Sequence, residues 1–351
     1  MNGLSAFLLP RGVILTRARR FSSVSTERLE FDKFGIPTEV IQLKREETKF
    51  NLKSGEVLVR FLASPVNPAD INTIQGTYPI KPTLPGVGGG EGVAEVLETK
   101  GSKLEPGDWV LPGLAMSGTW RTHGVYEEGN LIKIRNDISV ESAATLMINP
   151  ATALRMLEDF IPLRAGDWIV QNGANSAVGL AVIEIAKIKN LKTINVVRNR
   201  ENIDELKAQM KRMGADEVLT EEEARRAWRE LPRPRLALNC VGGASGTELC
   251  KALGEDGVHV TYGGMSLKPV IAATSHMIFK NISLRGFWLS RWYKEQGMNK
   301  TRLKMISQLT DMIAAKDLSP PPLNPIPFNQ FKPALETTLK GFKGAKFIFK
   351  M

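Results

Sequence analysis

Trp168-Ile169-Val170-Gln171-Asn172-Gly173-Ala174-Asn175-Ser176-Ala177-Val178-Gly179 decides the fold of this chain. Its apolar start reads as a strand ending at Gln171, its small residues as a tight turn, and the residues from Ala177 on as a helix. The first backbone N–H groups of that helix lack partners inside it and can hold a pyrophosphate. Gly173 and Gly179 fill the outer places of a GxxGxxG spacing, and Ser176 stands in the middle place, where the commoner pattern has glycine. Val178, Val182, Ile185 and Ala186 give the helix a face that packs on a sheet, and Gly179 permits close helix-to-strand approach. A second strand is read at Lys192–Val197. At its end, where an NAD site carries Asp or Glu for the ribose 2′-hydroxyl, this chain has Arg198-Asn199-Arg200. A carboxylate would repel a 2′-phosphate, whereas two guanidinium groups bind it, so the cofactor expected is NADPH.

Outward from this unit, strands and helices take turns through residues 168–171, 178–187, 193–197, 202–213, 236–241 and 258–262, the signature of a parallel doubly wound sheet. Gly214 sits where a helix C-cap glycine belongs, and Thr220 with Glu223 makes a capping box for the next helix. A last parallel strand is expected at 284–289, a helix at 301–315, and a plain connector over the proline-rich 319–327. Before this unit, residues 35–125 show alternating segments at 56–62 and 92–97 punctuated by Gly and Pro, which reads as a smaller β-rich domain. The alternating tail, residues 346–350, needs a sheet to join, and the first domain offers one.

A chain of 351 residues exceeds the roughly 250–300 at which one core stops growing, so two domains are expected. Two cysteines, Cys240 and Cys250, without a second pair argue against both a disulfide framework and a cysteine zinc clip. Part of the net charge of +10 has a local origin: residues 1–26 hold Arg11, Arg17, Arg19 and Arg20 and no acid, which leaves +6 for the remainder. That apolar, Arg- and Ser-bearing start resembles a mitochondrial transit peptide, with Arg19-Arg20-Phe21-Ser22-Ser23 as a processing region. No basic block is interleaved with aromatics, which argues against nucleic acid, and no apolar run nears the ~20 residues that span a bilayer, so a soluble protein without stable membrane insertion is expected. The remaining positive balance suits anionic small ligands such as nucleotides and coenzyme A.

The order of β-rich domain, dinucleotide unit and returning tail resembles the medium-chain dehydrogenase/reductase superfamily, in its zinc-free, quinone-oxidoreductase-like branch. Val66-Asn67-Pro68-Ala69-Asp70-Ile71-Asn72, Ile74-Gln75-Gly76-Thr77-Tyr78, Glu91-Gly92-Val93-Ala94, Leu236-Ala237-Leu238-Asn239-Cys240-Val241-Gly242-Gly243, Tyr262-Gly263-Gly264-Met265 and Leu284-Arg285-Gly286-Phe287-Trp288-Leu289-Ser290 occur together and in order. Together they narrow the likeness to the mitochondrial trans-2-enoyl-CoA reductases, also called enoyl-[acyl-carrier-protein] reductases. The resemblance implies an α/β fold: a Rossmann doubly wound parallel sheet domain plus a β-rich GroES-like catalytic domain. The boundaries expected are a leader at 1–26, catalytic domain at 27–150, Rossmann domain at 151–291 and a return to the catalytic domain at 292–351. It further implies NADPH-dependent saturation of enoyl-CoA or enoyl-acyl-carrier-protein in mitochondrial fatty-acid synthesis, by a homodimer.

Reduction of a 2-enoyl thioester delivers hydride to C3 and builds negative charge on the thioester oxygen before C2 takes a proton. A donor must stand near that oxygen, and the resemblance gives the place to Tyr78, whose neutral phenol can stabilise an enolate and relay a proton. It also implies cofactor contacts from Asn149, from Asn175, Ser176, Ala177 and Val178 at the pyrophosphate turn, and from Arg198, Asn199 and Arg200 at the 2′-phosphate. Tyr262, Gly263, Gly264, Met265, Phe287, Trp288 and Leu289 would line the nicotinamide pocket, and Lys346 would reach in from the tail. Asn67 and Asp70 read as loop-shaping residues. Zinc-dependent relatives carry a metal-binding His in a Gly-His-Glu triplet. Here the triplet is Gly89-Gly90-Glu91, and His123, His259 and His276 fall outside it, so no metal is expected. A quinone- or alkenal-reducing relative shares the fold, the cofactor and the lack of zinc, and a non-catalytic nucleotide sensor shares the fold.

Overall fold

The computed structural model describes residues 23–341 and 344–351. Six parallel strands form one sheet in the order Glu217–Thr220, Lys192–Val197, Trp168–Asn172, Leu236–Asn239, Val258–Thr261, Ser283–Gly286. The order reverses direction at Trp168–Asn172, and ligands of such sheets bind in the crevice outside the carboxyl ends there. Helix Ala177–Ile188 follows this strand, with buried Val182, Ile185 and Ala186 on its packing face as the periodicity requires. Gly214 ends helix Ile203–Met213 in the left-handed conformation, and Thr220 and Glu223 form the capping box of helix Glu221–Ala227.

The second body is a seven-stranded sheet of mixed pairing. Its path runs Leu323–Pro327, Lys346–Lys350, Glu56–Pro65, Val93–Thr99, Trp109–Pro112, Leu131–Ile134, and His123–Glu127 also pairs with Glu56–Pro65. Strand Glu56–Pro65 touches three neighbours, so its burial is nearly continuous rather than alternating. The tail strand joins antiparallel, Ile348 opposite Pro65. A small sheet of Gln42–Thr48, Val24–Phe31 and Gly86–Val87 flanks it. One hydrophobic core runs through both bodies, from Ala63, Val93 and Leu111 through Met147 and Leu154 to Ile169 and Val182. The cleft walls are therefore fixed to each other by shared packing.

Three sequence expectations differ from the fold. Residues 319–327 are not a bare connector, because Leu323–Pro327 is an edge strand pairing parallel with the tail. Prolines mask such a strand in sequence, yet an edge tolerates them, since one row of N–H groups needs no partner. The last Rossmann strand stops at Gly286, and Leu289 opens helix Leu289–Gln296 with Trp288 at its N-cap. Val24–Thr26, inside the leader expected at 1–26, belong to a strand whose register places Val24 opposite Thr48. Residues 1–22 of that leader lie outside the described residues. No described helix is long and apolar enough to cross a membrane.

Candidate active site

The phosphate turn is set by three devices. Gly173 takes φ +56°, and a Cβ there would stand 2.5 Å from the Cys240 sulfur. A Cβ on Gly179 would lie 2.4 Å from the Ala174 carbonyl oxygen, which only glycine avoids. Ser176, in the place of the middle glycine, is the helix N-cap, its hydroxyl accepting the Gly179 N–H at 3.1 Å. The substitution thus caps one helix amide and leaves those of Ala177 and Val178 for an anion, with Asn175 just ahead of the cap. Beneath the turn, the buried Gln171 carboxamide donates to the Gly179 carbonyl (2.9 Å) and to Asn195 Oδ1 (2.8 Å), locking strand, helix and neighbouring strand together.

Buried Asn172 and Asn239 end adjacent strands and bond each other at 2.8 Å. Asn172 Oδ1 accepts the Cys240 N–H and Asn239 Oδ1 accepts that of Gly242, so the pair holds the loop over the crevice. Sequence reading passed over both asparagines. The available signal was an amide side chain ending an otherwise apolar strand, which burial tolerates only when it is satisfied. Arg198 and Asn199 are exposed beyond the second strand, and Arg200 is half-buried, its N–H donating to Asn199 Oδ1. Among the described residues no ion pair engages either guanidinium.

Across the cleft, Tyr78 follows helix Pro68–Ile74 in a turn where the amides of Thr77 and Tyr78 both donate to the Asn72 carbonyl. Its hydroxyl oxygen accepts the Trp288 indole N–H at 2.7 Å, and the two rings meet edge to face with centroids 5.9 Å apart. Ser290 Oγ lies 3.3 Å from the same oxygen. An indole N–H only donates, so it occupies a lone pair and leaves the phenolic proton free to be given elsewhere. The structure thus joins Tyr78 of one body to Trp288 of the other.

The remaining expected residues divide. Tyr262 is packed beside Cys240 and Ser176, burial raises its pKa, and its hydroxyl has no partner. Gly263 lets the chain pass close to Cys240, where a Cβ would meet the Cys240 carbonyl oxygen at 3.0 Å. Gly264 and Met265 are exposed, Phe287 packs edge to face on Phe160, and Leu289 is buried in the core, leaving only its backbone for a ligand. Asn149 begins helix Asn149–Glu158, with its Nδ2 buried and unpartnered. Two orphaned polar atoms, a small-residue turn at a helix N-terminus and two uncommitted guanidiniums fit a phosphorylated dinucleotide.

Lys346 is 5% exposed, and its ammonium donates to Asn67 Oδ1. Asn67 Nδ2 in turn donates to Glu91 Oε1 at 2.9 Å, and Asp70 Oδ2 accepts the Asn67 N–H at 2.8 Å. Burial pushes Asp70 up to about 7 and Glu91 above the usual carboxylate range, against the opposing pull of Lys346, and pushes Lys346 down. Asn67 and Asp70 therefore do more than shape a loop. A zinc ion does not fit this place: position 90 is glycine, and the nearby carboxylates already face a buried ammonium. Among the described residues no three His, Cys, Asp or Glu side chains gather as a metal site.

Two family models match, the alcohol dehydrogenase GroES-like domain over residues 53–136 and the zinc-binding dehydrogenase domain over 177–307. The human protein called enoyl-[acyl-carrier-protein] reductase, mitochondrial, is 46% identical over 330 residues, covering 92% of this chain and 88% of the relative. The solved mitochondrial 2-enoyl thioester reductase Etr1p/Etr2p heterodimer of Candida tropicalis superposes with TM-score 0.87 at 32% identity, over 93% of this chain and 100% of that one. The structure of an Etr1p/NADP/crotonyl-CoA complex superposes with TM-score 0.86 at 32% identity and the same coverage. With the two-body fold and its dinucleotide crevice in place, these likenesses place the chain in the mitochondrial enoyl-[acyl-carrier-protein] reductase family.

Proposed function

We propose that this chain saturates trans-2-enoyl thioesters with NADPH in mitochondria, at the cleft between the β-rich body and the Rossmann sheet. The observation that carries the reading is the Tyr78 hydroxyl held by the Trp288 N–H across that cleft, a bond that does not use the phenolic proton. NADPH, when bound, supplies the hydride that reaches C3 of the enoyl group. Arg198, Asn199 and Arg200 bind its 2′-phosphate, Asn175 to Val178 its pyrophosphate, and Asn149, Lys346 and the segments Tyr262 to Met265 and Phe287 to Leu289 border its nicotinamide end. Tyr78 donates to the thioester oxygen as charge develops there and relays a proton toward C2. Such a donor acts in a water-poor site where its orientation is already fixed. The Tyr78–Trp288 hydrogen bond fixes that orientation.

The leader is removed ahead of Val24, since a cut after residue 26 would strip three residues from a paired strand. The tail strand supports a return to the catalytic domain within 292–351, while the boundaries at 27, 151 and 292 each fall inside an element, strand Val24–Phe31, helix Asn149–Glu158 and helix Leu289–Gln296, and shift to its ends. The chain forms a homodimer, with Ser283–Gly286 as the contact. That strand is the sheet edge and lies beside exposed Leu284, Ile278 and Phe279, an apolar edge that invites a second copy. NADPH consumption with a series of trans-2-enoyl-CoA and enoyl-acyl-carrier-protein thioesters, run beside a quinone and a free enal, tests the function. Turnover of the thioesters is the expected result, and turnover of quinone alone would overturn it.

A further inference from the structure

Glu91 connects residues that the proposed mechanism treats separately. Its carboxylate is 1% exposed and has two backbone or side-chain donors from different parts of the chain: Asn67 Nδ2 on Oε1 and the Ile148 N–H on Oε2, each at 2.9 Å. Ile148 is the N-cap residue of helix Asn149–Glu158 and has no side-chain cap of its own. A carboxylate from another strand connection thus occupies the positive end of that helix, one residue before Asn149. On the other side, Asn67 passes the contact to the Lys346 ammonium, which feels the charge of both Glu91 and Asp70. Asn149 Nδ2 is buried with no partner, which calls for a bound group to satisfy it. Glu91 is therefore the junction between the helix that presents Asn149 and the tail strand that presents Lys346.

We propose that Glu91, acting through Asn67 and the Ile148 amide, is a positioning residue that holds Asn149 and Lys346 in register for the nicotinamide end of NADPH. The inference rests on the functional reading above for the place of the nicotinamide. The buried Glu91–Asn67–Lys346 chain holds this part of the fold with hydrogen bonds and one ammonium. A glutamine at 91 keeps the shape but presents an amide N–H₂ to one of two donors, so one of the links must break.

The test is a pair of double-mutant cycles read by NADPH binding, which requires no turnover. Glu91→Gln alone is expected to weaken NADPH about tenfold, which corresponds to ~1.4 kcal/mol. In an Asn149→Ala background, where the residue being positioned has lost its amide, the same change is expected to have little further effect. Asn67→Ala, which leaves the Glu91–Ile148 bond intact, forms the second cycle with Asn149→Ala, the two residues lying on opposite sides of Glu91 with no bond between them, and is expected to be equally non-additive. Should Glu91→Gln fail to fold, this second cycle decides. Multiplicative losses in the cycle that is measured, or an unchanged NADPH affinity in Glu91→Gln, overturn the proposal. A wild-type protein that binds NADPH yet reduces no enoyl thioester would overturn the functional reading and leave these cycles interpretable.

Discussion

Replacing Tyr78 by Phe removes one oxygen from the centre of the cleft, and the structure sets what that should cost. The oxygen accepts the Trp288 N–H at 2.7 Å and has Ser290 Oγ at 3.3 Å, while the ring keeps its edge-to-face contact at 5.9 Å. The structural loss is one net hydrogen bond of about 0.5–1.5 kcal/mol. For a chain of 351 residues that is a shift of about 1–2 °C in Tm, since the melting entropy grows with length at roughly 2.1 cal/mol/K per residue. The catalytic loss is larger. Deleting one preorganised donor to a developing oxyanion typically costs ~10²–10³ in turnover, roughly 2.7–4 kcal/mol. Tyr78→Phe should therefore show kcat down by that factor with NADPH affinity and Tm near wild type. Single-turnover NADPH oxidation with crotonyl-CoA, alongside a cofactor titration and a melting curve, measures all three. Near-normal turnover would remove Tyr78 from the mechanism. A fall in cofactor affinity and Tm in step with turnover would make it a packing residue.

Three further outcomes are expected. Arg198→Ala and Arg200→Ala should each weaken NADPH roughly ten- to hundredfold and spare NADH, as loss of a charge-assisted hydrogen bond of ~1.5–3 kcal/mol requires, and equal losses for both cofactors would mean the pair does not read the phosphate. Asp70, raised from 3.8 to about 7 by burial, binds its proton more tightly folded than unfolded. Its contribution to stability is therefore full below the unfolded value and is lost as pH rises towards 7, so Asp70→Asn should flatten that part of the Tm-against-pH curve, and an unchanged slope refutes the assignment. Leu284→Glu on the edge strand should convert the dimer to monomers in light scattering, whereas a monomeric wild type, or a variant dimer as tight as wild type, would dispose of the edge contact.

The Rossmann half was legible because its signals are local. Strand, turn, helix and capping box each depend on residues within one or two turns of chain, and the observed Ala177–Ile188, Lys192–Val197 and Gly214 cap follow from them directly. Leu323–Pro327 was illegible for the opposite reason. Its strand character comes from a partner, Lys346–Lys350, some twenty residues on, while its own prolines argue for a loop. The short apolar run Phe287-Trp288-Leu289 carries the strand expectation on to Leu289, and such a run does not distinguish a strand from the first turn of a helix.

The site shows the same division at the level of chemistry. Composition and spacing could place an anion at Ser176 and a second charge at Arg198, because each needs only its own segment. They could not show that Tyr78 and Trp288, 210 positions apart, meet at one hydrogen bond, nor that Lys346 is committed to Asn67, 279 positions away. Those contacts exist because the tail returns to the first body's sheet and the shared core fixes both walls of the cleft. What the motifs named as separate cofactor contacts is, in three dimensions, a connected set. Lys346 links to Asn67, Asn67 to Glu91, and Glu91 to the head of the helix bearing Asn149, so a change at one end should be felt at the other through bonds already drawn.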